Sequence, residues 1–333
     1  MGMRILYVAM ADDYGDPARG PSFEDANFRS ALEGMGHELI PFDFMAEARE
    51  RGKGEMNRRL LATARGAAPD LSFFFLFQDE IDAETIREVS RAGGPTVNWF
   101  ADDHWRFDRF TRHFAPAFDW SITTDRDSLP KYREIGYENV ILSQWACNRY
   151  AYDWTAPELE YEVTFVGQAY GNRPATVERL RAEGFDVRCW GYGWPEGRIG
   201  HAEMVRVFGA SRINLNLSAA FSPPRSIRAR AAALVNRDRH EPRKSQIKGR
   251  TFEVPGSGGF LLTDRVPHLE SYLVPGQEVG VFESERELVQ QLGWWLDRED
   301  ERAAVAQAGY RRVRGEHTYD HRFAEIFRRM GLA

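Results

Sequence analysis

The residues best suited to chemistry lie in one run, Gln246 to Asp264 (QIKGRTFEVPGSGGFLLTD). A basic loop carrying Lys248 and Arg250 leads into a short helical segment with Glu253. A turn at Gly256, Ser257, Gly258 and Gly259 follows, and then an apolar strand ends at Thr263-Asp264. Glycine lets backbone approach a ligand closely, and amides at a helix start bind phosphate oxygens. A carboxylate beside such a turn suits the hydroxyls of a ribose diol. In this order the run points to a nucleotide; read blandly, Lys248 and Arg250 are a surface charge run.

Other residues stand where ligands meet an open α/β sheet, just beyond the carboxyl ends of strands. Arg173 follows a strand through a glycine-containing loop and either meets a phosphate or caps the next helix in solvent. Asp102, Asp103 and His104 follow another strand; a carboxylate or imidazole there orients or deprotonates a hydroxyl, or one aspartate caps the helix that begins near Arg106. Gly191, Tyr192, Gly193 and Trp194 end a later strand, as the wall of a base pocket or as an aromatic turn. Gly15, Gly20, Pro21 and Ser22 lie in the first loop without a GxGxxG pattern. His317 and His321 read as structural, with no spacing that demands a metal.

These positions need strands and helices in alternation, and the chain has them. Expected strands are Arg4 to Met10, Glu38 to Phe44, Leu71 to Phe77, Thr96 to Ala101, Trp120 to Thr124 and Val140 to Gln144. Helical periodicity covers Phe23 to Met35 and Asp82 to Ala92, and Asp125 to Ile135 opens with a capping aspartate. An aperiodic linker at Tyr150 to Glu160 precedes a second series. Its strands are Glu162 to Gly167, Asp186 to Trp190, Ile213 to Leu217, Gly259 to Thr263 and Val279 to Phe282. Its helices are Pro174 to Glu183, Ala202 to Ala210, Glu285 to Leu296, Asp300 to Arg314 and one from about Thr318. We expect two Rossmann-like domains, 1–155 and 156–333, with an insertion at 222–249. That insertion is strongly basic, and it reads either as a lid that orders over an anion or as a passive loop.

Composition narrows the classes. With 333 residues, two packed cores are expected, and two cysteines, Cys147 and Cys189, are too few for a disulfide framework. No run is apolar for long enough to span a membrane, and the net charge of −6 gives no general pull toward nucleic acid. A cytoplasmic protein is the expectation. Arginine supplies most of the 44 basic residues, so a single arginine says little.

Several segments together resemble glycosyltransferases of the two-domain GT-B architecture, in particular the CgeB-like branch related to glycosyltransferase family 4. They are VNWFADDHWRF, DWSITTDRDSLPKYREIGYENV, TFVGQAYGNR, INLNLS, QIKGRTFEVPGSGGFLLTD and ERAAVAQAGYRRVRGEHTYDHRF. The resemblance implies an α/β fold with two Rossmann-like domains facing a central cleft and a C-terminal helix that packs back on the N-terminal domain. It implies an acceptor domain followed by a donor domain, and a sugar passed with retention from a nucleotide diphosphate donor to a hydroxyl of a sugar, glycan, protein or other acceptor. Glu253 matches the family glutamate that contacts the donor ribose; eight residues earlier, where a second glutamate usually stands, this chain has Ser245. Arg173, Lys248 and Arg250 match the cations that hold the diphosphate. No cofactor and no metal are expected, because no DxD ends a strand of the second half. The rival readings are a nucleotide-sugar epimerase of the same fold, which needs no acceptor site, and a non-catalytic glycan- or nucleotide-binding protein, to which Ser245 lends weight.

Overall fold

The computed structural model describes residues 2–152, 158–217 and 246–332. Ser245 and the expected insertion, apart from 246–249, lie outside them. The chain divides into two units, one of Met1–Ala151 with Tyr319–Ala333 and the other of Tyr152–Thr318.

The first unit is built on six parallel strands in the order β2-β1-β3-β4-β5-β6. They are β1 (Arg4–Val8), β2 (Glu38–Phe42), β3 (Leu71–Phe74), β4 (Thr96–Phe100), β5 (Trp120–Thr123) and β6 (Val140–Leu142). Each falls inside its expected stretch. The inner strands β3 and β4 are buried at every residue, which is why they read as continuous apolar runs rather than alternating ones.

Helices α1 (Ser30–Gly34), α2 (Phe44–Arg51), α3 (Lys53–Ala67) and α4 (Ala83–Ala92) follow the first strands. The sequence reading did not anticipate α2 and α3, and it carried the second strand too far, to Phe44. Asp43 ends that strand: its carboxylate accepts hydrogen bonds from the Met45 and Ala46 amides at 3.0 and 3.1 Å, which starts α2. The charged, arginine-rich composition of α2 masks its apolar face, and Gly52 and Gly54 look like breakers although Gly54 lies inside α3. Further on come α5 (Asp103–Arg106), α6 (Arg112–Phe114) and α7 (Leu129–Glu134).

The second unit carries β7 (Tyr161–Val166), β8 (Val187–Trp190), β9 (Ser211–Asn216), β10 (Leu261–Asp264) and β11 (Gly280–Phe282). They pair in parallel in the order β11-β10-β9-β7-β8. Its helices among the described residues are α8 (Arg173–Ala182), α9 (His201–Gly209), α10 (Arg250–Gly256), α11 (Glu285–Leu296) and α12 (Glu299–Glu316).

The last helix, α13 (Tyr319–Arg329), belongs to the first unit, as expected of a terminal helix that packs back. Tyr319, Phe323, Ile326 and Phe327 recur at helical spacing and are buried. Phe323 lies edge-on to Phe28 and Phe73, with ring centroids 5.6 and 5.8 Å away, and Tyr319 sits 4.9 Å from Phe28. The helix thus completes the aromatic layer on one face of the first sheet. We expect Phe323→Ala to cost about 3–5 kcal/mol, the scale for emptying a buried aromatic site. Urea unfolding followed by circular dichroism measures it, and a loss below about 1 kcal/mol would mean that the helix is not part of the core.

Candidate functional site

In the second unit β7 comes first in sequence yet lies inside the sheet, with β8 on one side and β9 on the other. Connections leaving the carboxyl ends of β7 and β9 therefore diverge to opposite faces, which opens a crevice between them. Arg173, the first residue of α8, spans it. Its Nε donates to the Leu217 carbonyl just beyond β9 at 2.9 Å, and its Nη1 donates to the Gln168 carbonyl just beyond β7 at 3.1 Å. The guanidinium lies 5.3 Å from the Phe165 ring.

A second cation reaches the same place. Burial holds the Arg173 pKa below its ordinary value, the charge of Arg250 adds to that, and Asp264 at the end of β10 opposes it. Arg250 opens α10; its side chain contacts Met204 Sδ at 3.9 Å and stands 5.9 Å from the Phe208 ring. Its Nε is buried and meets no acceptor among the described residues. A like charge beside the Arg173 guanidinium is offset by an anion bound near both. An orphaned buried N–H, which costs about 1–3 kcal/mol, is a further reason for one to bind. Lys248 lies two residues ahead of Arg250, partly buried.

Glu253 is 3% exposed, and among the described residues no donor or counter-charge meets its carboxylate. It is three residues from Arg250 on the same helix, a spacing at which such side chains commonly pair, yet no ion pair forms between them. Its backbone carbonyl is occupied, by the Ser257 amide and by the Ser257 hydroxyl at 2.8 Å.

The glycine-rich turn does something other than the sequence suggested. Gly256, Ser257, Gly258 and Gly259 stand at the carboxyl end of α10, where free carbonyls rather than free amides point outward. Their amides are taken: Ser257 donates to Glu253, Gly258 to Pro255 and Gly259 to Val254. Gly258 holds a φ of +80°, and a Cβ on Gly259 would stand 2.4 Å from the Phe208 carbonyl. The turn closes the helix and delivers the chain into β10, so a phosphate cradle is the wrong reading of it.

Gly191 is also explained by packing, since a Cβ there would meet the Gly167 carbonyl at 2.2 Å and its φ is +135°. Tyr192 beside it is 71% exposed, whereas Trp194 is buried and donates to Gly167 at 2.8 Å. His317 is structural, with Nε2 at 2.9 Å from the Tyr272 carbonyl.

In the first unit the structure removes Asp103 from the bases proposed for an acceptor hydroxyl. It is fully buried, and Thr111 and Thr123 at 2.6 Å and Tyr132 at 2.7 Å donate hydroxyl hydrogen bonds to it. Burial pushes its pKa up to about 6 against those bonds, and its role is to join α5 to β5 and α7. Asp102 occupies the N-cap position but makes no side-chain cap bond, so neither aspartate caps as expected. Asp102 and His104 are each partly exposed after β4. In the first loop, Ser22 is buried, donating to the Met10 carbonyl at 2.6 Å and accepting from the Asp25 amide at 3.0 Å.

The sequence reading missed Glu24. It is 7% exposed and follows Ser22 at the start of the helical turn after the first loop. Burial raises its pKa to about 7 against hydrogen bonds from Ser22 and from its own backbone, and Asp13 and Asp25 push the same way as burial. In the sequence it stands between Phe23 and Asp25 in a polar stretch, which does not mark burial.

Among the described residues no group of three or more His, Cys, Asp or Glu is placed to hold a metal ion. None of their helices is long and apolar enough to cross a membrane.

Residues 173–328 match a family described as glycosyl transferase-like, a match that begins at Arg173 itself. The comparison with curated proteins returned no match. Among solved structures, sucrose-phosphate synthase from Thermosynechococcus elongatus aligns with a TM-score of 0.68 at 11% identity, over 98% of this chain and 99% of that one. HepE from Anabaena, in complex with UDP and glucose, aligns with a TM-score of 0.64 at 11% identity, over 99% and 100%. The pneumococcal O-GlcNAc transferase GtfA, in complex with UDP and GlcNAc, aligns with a TM-score of 0.55 at 10% identity, over 84% of this chain and 60% of that one. The chain has the α/β fold of GT-B glycosyltransferases, and the stretch similar to the glycosyl transferase-like family covers most of the second unit and part of α13.

The raised pKa of Glu24 has a consequence for stability. An unfolded chain releases that proton near pH 4.5, whereas the folded protein holds it to about pH 7, so the contribution of Glu24 is full below pH 4.5 and is lost between 4.5 and 7. Replacing Glu24 by Gln should leave stability little changed at pH 4.5 and raise it by about 3 kcal/mol relative to the parent at pH 8. Denaturant curves at the two pH values measure the difference; parallel behaviour of the two proteins would refute the raised pKa.

Proposed function

We propose that this enzyme transfers a sugar from a nucleoside diphosphate donor to a hydroxyl acceptor, with the donor held by the second unit. The observation that carries the proposal is the pairing of a buried, unengaged carboxylate with two mutually repelling guanidinium groups at a strand-order switch. Glu253 accepts hydrogen bonds from the donor ribose. Arg173 and Arg250, helped by Lys248, face the diphosphate. Arg173 is already anchored at two carbonyls, so its charge needs no reorganisation as the leaving phosphate gains charge. UDP in the HepE and GtfA complexes makes a uridine donor the first to test.

The reading extends to a metal-independent reaction with retention at the sugar. Arginine and lysine take the electrostatic part that a divalent ion would otherwise take, and retention follows from the resemblance to family 4. Asp102 and His104 remain the acceptor-side residues of the reading, with Asp103 holding the loop that carries them. Tyr192 borders the base, its ring exposed beside the end of β8.

Calorimetric titration with UDP, GDP, ADP, CDP and dTDP tests the donor site. At least one should bind, and Glu253→Ala should weaken it by roughly 10 to 150 fold, the loss of hydrogen bonds to a charged group worth about 1.5–3 kcal/mol. Unchanged affinity in a folded variant would sink the assignment. Release of nucleotide from the matching nucleotide sugar should survive EDTA; activity lost with EDTA and restored by magnesium or manganese would overturn the metal-independent part.

A further inference from the structure

In the first unit β1 lies inside the sheet between β2 and β3, so this sheet too has a crevice at its carboxyl edge. The segments that follow three adjacent strands, β1, β3 and β4, each bring an aromatic ring to that edge. They are Tyr14, Phe77 and Trp105, with Tyr14 45% and Trp105 47% exposed.

The rings are held in place. Tyr14 has a φ of +54°, a left-handed conformation unusual for a side chain of its size, which costs about 1–3 kcal/mol and gathers at functional sites. Arg19 covers its ring at 4.4 Å and is itself fixed by Asp13 at 3.2 Å, while Arg49 donates to the Gly15 carbonyl. The Tyr14 and Phe77 rings meet edge to face at 5.2 Å. Arg106 donates to the Phe77 carbonyl and keeps its guanidinium 5.9 Å from the Phe77 ring and 5.7 Å from the Trp105 ring. Burial lowers the Arg106 pKa, opposed by Asp102 and Glu80 nearby.

Two large exposed aromatics, Tyr14 and Trp105, the first held in a left-handed backbone conformation, with arginine between them and Phe77, call for a ligand that is flat and apolar on one side and polar at its rim. A pyranose ring fits: its axial C–H bonds stack on an aromatic face while its hydroxyls reach guanidinium and carboxylate groups.

We propose that Tyr14, Phe77 and Trp105, with Arg106 as hydrogen-bond donor between them, form a saccharide-binding site on the first unit. That the bound saccharide is the acceptor rests on the function proposed above. The site narrows the acceptor class from any hydroxyl compound to a glycan, and makes Tyr14 and Trp105 residues that set specificity.

The test is binding of the full chain, without donor, to a printed array of defined glycans, with the best hit then titrated by saturation-transfer NMR. At least one glycan class should bind. Tyr14→Ala and Trp105→Ala should each weaken it roughly tenfold or more, the scale for truncating an anchoring aromatic, and Trp105→Phe should restore most of the affinity. Thermal midpoints and nucleotide titrations run on the same variants should match the parent, which separates loss of the saccharide site from loss of fold. No glycan bound, or unchanged affinity in both alanine variants, would overturn the proposal. Glycan binding that persists in a protein binding none of the five nucleotides would leave this site standing and remove the transferase reading instead.

Discussion

The arrangement depends on one constraint of parallel sheets. In each unit the strand that comes first in sequence lies inside the sheet, with its successors on both sides. Chains leaving neighbouring carboxyl ends must then turn to opposite faces, and a crevice opens where they part. In the second unit Arg173 spans that opening with Arg250 near it; in the first, Tyr14, Phe77 and Trp105 stand in the segments that follow β1, β3 and β4. Loops there can vary without disturbing the ladder hydrogen bonds beneath them.

The two edges are built differently. Among the described residues of the second unit, an arginine N–H has no acceptor and two like charges lie close together. The donor proposed above, with its diphosphate, would meet both. In the first unit the buried Asp103 is met by three hydroxyl donors, while the Tyr14 and Trp105 rings are exposed. An anionic nucleotide suits the former and a neutral saccharide the latter.

Residues that do not touch a ligand decide how firmly those edges are held. Asp103 ties the segment after β4 to β5 and α7, so Asp102 and Trp105 stand on a fixed base. Gly259 lets α10 pass close to the Phe208 carbonyl and enter β10, which sets where Arg250 and Glu253 lie on the helix above. The aromatic layer completed by α13 supports the first sheet from below, so the last residues of the chain stabilise its first strands.

Much of this was legible in the sequence. Apolar runs of strand length separated by helical periodicity determined two α/β series, because a strand buried on both faces has little choice but to be apolar throughout. Arg173, Arg250 and Glu253 could be picked out because each follows or precedes such a run at the carboxyl side. The tertiary structure decided what local pattern cannot carry. The sequence already put a helical segment ahead of the glycine-rich turn, but only the hydrogen bonds of the folded chain show that the turn's amides are spent on that helix. Whether a carboxylate is a base or a buried strut depends on hydroxyls 8, 20 and 29 residues away in the case of Asp103. The aromatic rim joins three loops that are distant in sequence, and only strand order makes neighbours of β1, β3 and β4.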